Sequence, residues 1–123
     1  MIRGQVALDE GAVVLLSVFG PTGAALQVDA VIDTGFEGEL ALPADAVAAL
    51  GLRPLGELPA ILADGTLREL GAFAGAVDWH GQIRPVLAVE VDGPVLVGLR
   101  LLQNCDLAMR VVEGGEVTIT PVE

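Results

Sequence analysis

The chain has no lysine: its six basic residues are all arginine, set against seventeen acids for a formal net charge of −11. That absence excludes a Walker-type P-loop and Schiff-base chemistry, both of which need a lysine amine. Binding along a phosphate backbone needs clustered positive charge, so nucleic acid is not an expected partner. The excess of acids is expected to form a solvated surface. Cys105 is the only cysteine, which rules out an intrachain disulfide and a cysteine cluster for zinc, and it is expected to be a small buried filler. His80 and Ser17 are also single copies. A serine triad would have to draw on both, while Ser17 lies in the apolar run Val13 to Val18 and reads as a strand hydroxyl. His80 is expected in a solvated turn and Trp79 in a core. No metal and no cofactor are expected. No apolar run reaches the about 18 residues of a membrane span, and Met1-Ile2-Arg3-Gly4 does not lead into a signal-peptide core. The expectation is a cytoplasmic protein with no membrane partner.

Carboxylate chemistry is what remains. The 123 residues suit a single domain over residues 1–123, and 53% hydrophobic content with sixteen glycines and seven prolines suits short strands joined by tight turns. Ala12 to Phe19 and Ala25 to Ile32 form a hairpin about the turn cluster Gly20-Pro21-Thr22-Gly23. Glu39 to Leu42 reads as a short strand, and Pro43 starts a helix that Gly51 stops. Arg53 to Pro59 reads as a connecting loop, Ala60 to Leu70 as a hairpin with Asp64-Gly65 at its tip, and Thr66 to Trp79 as one long strand. Ile83 to Val91 and Asp106 to Val112 are further strands, and Glu116 to Thr120 is the last. Met1 to Leu8 reads as an edge strand, and Gly98 to Asn104 as a second short helix.

The stretch that carries chemistry is Val31-Ile32-Asp33-Thr34-Gly35-Phe36. The alternating Leu26, Val28, Ala30 and Ile32 deliver an acid at a strand end. Gly35 lets another backbone approach closely, and the Thr34 hydroxyl can stiffen the turn. Downstream lie the hairpin Ile61-Leu62-Ala63-Asp64-Gly65-Thr66-Leu67 and then the apolar strand, glycine and short helix of Val95-Leu96-Val97-Gly98-Leu99-Arg100-Leu101-Leu102.

From about Ala12 to Met109 this order resembles the retroviral-type, or retropepsin-like, aspartic proteases. The continuation Phe36-Glu37-Gly38-Glu39-Leu40-Ala41-Leu42-Pro43 is more similar to the small stand-alone bacterial members. The resemblance implies a mostly β fold, a closed or half-open β-barrel with one or two short helices, acting as a symmetric homodimer on a peptide or protein substrate. It implies Asp33 as the catalytic acid, paired with Asp33 of a second copy because one carboxylate cannot do the chemistry alone. Thr34 would bond across the axis and Gly35 would lie against the substrate backbone. Ala63, Asp64, Gly65 and Thr66 would form the tip of a flap, Phe36 would shape the groove, and Leu96, Val97 and Gly98 would support the acid-bearing loop. The terminal strands, Gln5 to Leu8 and Val117 to Thr120, would interleave between subunits. The sequence departs from the viral pattern at Phe36, where a small residue is usual, and at Arg100, one place later than the arginine that follows the glycine in the viral enzymes; a Glu37–Arg100 pair would brace the loop. The expected function is an aspartic endopeptidase. The alternative is a catalytically silent relative that keeps the fold as a dimerisation or peptide-binding module.

Overall fold

The computed structural model describes every residue except Ala63. Among the described residues, β1 (Ile2–Ala7), β2 (Gly11–Phe19), β3 (Ala25–Ile32) and β4 (Leu40–Leu42) precede a single helix, α1 (Ala44–Leu50). There follow β5 (Arg53–Ile61), β6 (Leu67–Trp79), β7 (Gln82–Glu90), β8 (Val95–Val97), β9 (Cys105–Met109) and β10 (Glu116–Pro121). The fold is mostly β, as expected. Alternation sets the strand faces: Ala12, Val14, Leu16 and Val18 of β2 are buried while Leu15 is exposed, and Val117 and Ile119 of β10 are buried, because successive strand residues point to opposite sides.

Neighbouring strands run in the order β5, β6, β7, β4, β8, β3, β2, β1, β10, β9. A further pairing of β6 with β2, through Val18↔Val77 and Phe19↔Ala76, links β2, β3, β8, β4, β7 and β6 in a ring. Leu40, Leu42, Leu50, Val77, Val97 and Leu101 are fully buried and belong to one hydrophobic cluster that also takes in Trp79. No polar or charged residue is buried among the described residues. At seven residues α1 is too short to hold itself; it rests on buried Ala46, Val47 and Leu50 and ends at Gly51, whose φ of 62° is the left-handed conformation that glycine adopts freely.

Several expectations change. Arg53 to Pro59 is strand, not loop: β5 pairs only with β6, and an edge strand tolerates Pro54 and Pro59, which have no N–H to donate. Gly98 to Asn104 is a run of turns rather than a second helix. Leu102 N donates to Gly98 O at 3.3 Å, Cys105 N to Leu102 O at 3.0 Å, and Asn104 ends the run at a φ of 64°. The strand expected over Asp106 to Val112 is β9, which ends at Met109. β1 is not an edge. It pairs with β2 on one side and with β10 on the other, from Ile2↔Ile119 to Gln5↔Glu116, while β10 also pairs with β9. The terminal strands therefore satisfy each other within one chain, leaving β5 and β9 at the ends of the strand order. His80 is half-buried, with its Nε2 3.7 Å from Cys105 Sγ, and its ring stands edge-on to buried Trp79. Burial lowers its pKa from the ordinary value, helped by the positive N-terminus. Among the described residues no helix is long and apolar enough to cross a membrane.

Candidate active site

The site is built where the chain leaves β3, crosses the end of β8 and returns as β4. β8 lies between the two, parallel to β3 (Ala30↔Val95 to Ile32↔Val97) and antiparallel to β4 (Leu40↔Val97). The segment from Asp33 to Glu39 must therefore straddle the residue that follows β8, and that residue is Gly98. Asp33 N donates to Val97 O at 2.9 Å, continuing the β3–β8 ladder by one step. Gly98 N donates to Glu39 O at 2.9 Å, Leu99 N to Phe36 O at 2.8 Å and Arg100 N to Gly38 O at 3.2 Å. A Cβ on Gly98 would stand 2.0 Å from Gly38 O and 2.7 Å from Phe36 Cδ2. Only glycine permits that approach. Val97 is fully buried and Leu96 half-buried; Val97 and Gly98 bond to the Asp33–Glu39 segment, while Leu96 pairs with Val31 of β3 and Ala41 of β4.

Within the loop Asp33 Oδ1 accepts from Gly35 N at 2.9 Å, and Phe36 N donates to Asp33 O at 3.2 Å, closing a tight turn. Asp33 is half-buried and Thr34 and Gly35 are exposed. Gly35, Phe36, Glu37, Gly38 and Glu39 line a groove of about 510 Å³ whose other boundaries are Leu58 to Ile61 of β5, Leu70 of β6, and Leu87 and Val89 of β7. Asp33 and Thr34 are beside this groove in the chain but do not line it.

The hairpin tip is set by its own bonds. Asp64 Oδ1 accepts from Thr66 Oγ1 at 2.6 Å and from Thr66 N at 2.9 Å, and Gly65 N donates to Leu62 O at 2.8 Å. The Thr66 hydroxyl, followed by its backbone N–H, holds the Asp64 carboxyl below its ordinary pKa. Ala63 lies outside the described residues. Asp64, Gly65 and Thr66 do not line the groove; the stem of the same hairpin does. The groove residues Leu58, Ile61, Leu70, Leu87 and Val89 carry no motif, and their facing follows only from the pairing of β5, β6 and β7.

The Glu37–Arg100 pair does not form. Among the described residues the ion pairs are Arg3–Glu116 at 3.7 Å and Arg84–Glu39 at 3.4 Å. An acid–arginine brace is thus present two residues further along, with an arginine of β7.

No family model and no curated protein matches this sequence. The chemistry available is that of the residues themselves. Among the described residues no three histidine, cysteine, aspartate or glutamate side chains converge to hold a metal. One carboxylate on a rigid turn, with exposed backbone beside it and an apolar groove alongside, can accept a proton, orient a water and present main-chain groups to an extended chain.

Proposed function

We propose that the chain is an aspartic endopeptidase of the retropepsin-like type, in which a twofold axis brings Asp33 of one copy against Asp33 of another. Two adjacent carboxyls cannot both ionise, so they share one proton: the charged member takes a proton from a water held between them as it attacks the peptide carbonyl, and the protonated member hydrogen-bonds the carbonyl oxygen. Aspartic proteases are the established instance of that arrangement. The observation that carries the reading is the pinning of the Asp33 loop over Gly98 by Leu99 N, Arg100 N and Gly98 N, which fixes the acid at a strand end beside an apolar groove. Preorganisation of this kind is what positioned acid–base chemistry requires.

On this reading the ring of strands is a half-open barrel and Thr34 and Gly35, both exposed, lie at the subunit junction. The β5–β6 hairpin acts as a flap through its stem, adding main-chain bonds and excluding water from an extended peptide. The protein acts in the cytoplasm, with no cofactor. The test is Asp33→Asn assayed on a mixture of unstructured proteins at acidic to neutral pH, with sedimentation in parallel. Loss of cleavage with an unchanged dimer is expected; cleavage that survives the substitution, or a wild-type protein that is monomeric while it cleaves, would refute the reading. A silent dimerisation or peptide-binding module is favoured by one observation, the engagement of Asp33 Oδ1 by Gly35 N outside the groove lining. It predicts peptide binding that Asp33→Asn leaves intact and no hydrolysis by the wild type.

A further inference from the structure

We propose that Glu39 is a positioning residue that sets the width of the groove by clamping the Asp33 loop to β7; its kinetic consequence rests on the proteolytic reading above. The pairing of β4 with β7 starts at Leu40↔Ala88, so Leu87 lies one step before the ladder. Its N–H donates instead to Glu39 Oε1 at 2.8 Å. The side chain of Glu39 thus stands in for the missing strand residue. The main-chain oxygen of Glu39 accepts from Gly98 N at 2.9 Å, so this residue joins the acid-bearing loop, the turn after β8 and β7. Gly38, Glu39, Leu87 and Val89 all line the groove. The clamp therefore determines how far the loop stands from the β7 wall that an extended peptide would contact.

Distances rank the partners. Arg84 reaches Glu39 Oε2 and Leu101 O at 3.4 Å each, the long end of hydrogen bonding, and its side chain is 34% exposed against 18% for Glu39. The pair is part-buried, but at that distance its bonds are weaker than the 2.8 Å bond from Leu87 N. The short bond to the Leu87 amide carries the clamp, and what it needs from residue 39 is an acceptor oxygen rather than a charge. Glutamine supplies that oxygen and alanine does not.

The experiment uses full-length Glu39→Ala, Glu39→Gln and Arg84→Gln, with a quenched fluorescent peptide chosen as the best wild-type substrate from an apolar peptide library. Glu39→Ala should raise KM about tenfold while kcat stays within about twofold, the pattern of lost binding rather than lost chemistry. Glu39→Gln should return KM to within about threefold of wild type, and Arg84→Gln should raise it less than Glu39→Ala does. Amide exchange at Leu87 should accelerate in Glu39→Ala and not in Glu39→Gln. An unchanged KM in Glu39→Ala, or a glutamine variant as impaired as the alanine one, overturns the proposal. Should the wild type show no Asp33-dependent cleavage, the proteolytic reading fails separately, and exchange at Leu87 alone decides the clamp: protection unchanged in Glu39→Ala removes it.

Discussion

Replacing Gly98 by alanine tests whether the Asp33 loop is held by close approach. The new Cβ would sit 2.0 Å from Gly38 O and 2.8 Å from Gly38 C, both backbone atoms that cannot rotate aside. Ordinary contact begins roughly 1.4 Å further out than the carbonyl oxygen now lies, so the loop must lift. Lifting it stretches the bonds from Gly98 N to Glu39 O and from Arg100 N to Gly38 O. Each is worth about 1 kcal/mol net, and forcing an atom into a packed site adds about 1–3 kcal/mol. The expected loss is about 3–5 kcal/mol, a large share of the 5–15 kcal/mol typical of a domain. At roughly 4 °C per kcal/mol for this size, the midpoint of thermal unfolding followed by circular dichroism should fall by about 12–20 °C. Gly23→Ala is the control: its φ of 90° strains a side chain, but nothing lies within 4 Å, so it should cost only about 1–2 kcal/mol and leave the loop in place. Amide exchange at Leu99 and Arg100 should accelerate in Gly98→Ala alone. Equal losses in the two variants, or an unchanged melting temperature in Gly98→Ala, would refute the argument from close approach.

Leu40 is fully buried in the main cluster, so Leu40→Ala should cost about 2–5 kcal/mol in urea unfolding; a loss below 1 kcal/mol would show that the strand β4 is not packed as described. Thr66→Val removes the 2.6 Å bond to Asp64 Oδ1 and should loosen only the hairpin tip, with faster exchange at Leu62 and Gly65 and an unchanged global melting temperature. The carboxyl of Asp64 has a folded pKa below its ordinary 3.8, so its contribution is present above that value and is lost as pH falls through the folded pKa, which the same exchange measurement follows in acid. For His80 the folded pKa lies below the ordinary 6.5 through burial, so the unfolded chain takes up the proton first and stability declines as pH drops below that value. His80→Gln should flatten that decline between pH 7.5 and 5; an unchanged slope would show that another group is responsible.

What could be read from the chain was what is written locally. Asp33, Thr34 and Gly35 are consecutive, the alternation before them marks a strand, and Pro43 and Gly51 bracket α1 at the positions observed. Gly98 was legible because a glycine directly after Val95-Leu96-Val97 breaks an apolar run. The change of apolar pattern across Gly98 reads as the start of a helix, yet Leu101 and Leu102 are buried by a run of turns that ends at left-handed Asn104, so burial rather than helical pitch explains the pattern. Pro54 and Pro59 signalled a loop, because a proline's cost in a strand depends on whether a neighbour needs its N–H, and that depends on sheet order. The same holds for the groove. Leu58, Leu87 and Val89 come together only after β5, β6 and β7 pair, and the Glu39–Leu87 bond spans 48 residues with no spacing rule to announce it. Pinning of the loop depends on chain order, since one glycine after a strand suffices to seat it. The width of the groove depends on long-range register, and a shift of β7 by a single residue would turn Leu87 and Val89 to the other face of the sheet. If the site is the proteolytic one proposed above, chemistry and selectivity rest on different kinds of sequence information, and substitutions far from Asp33, in the register of β7, should alter which peptides bind while leaving the acid where it is.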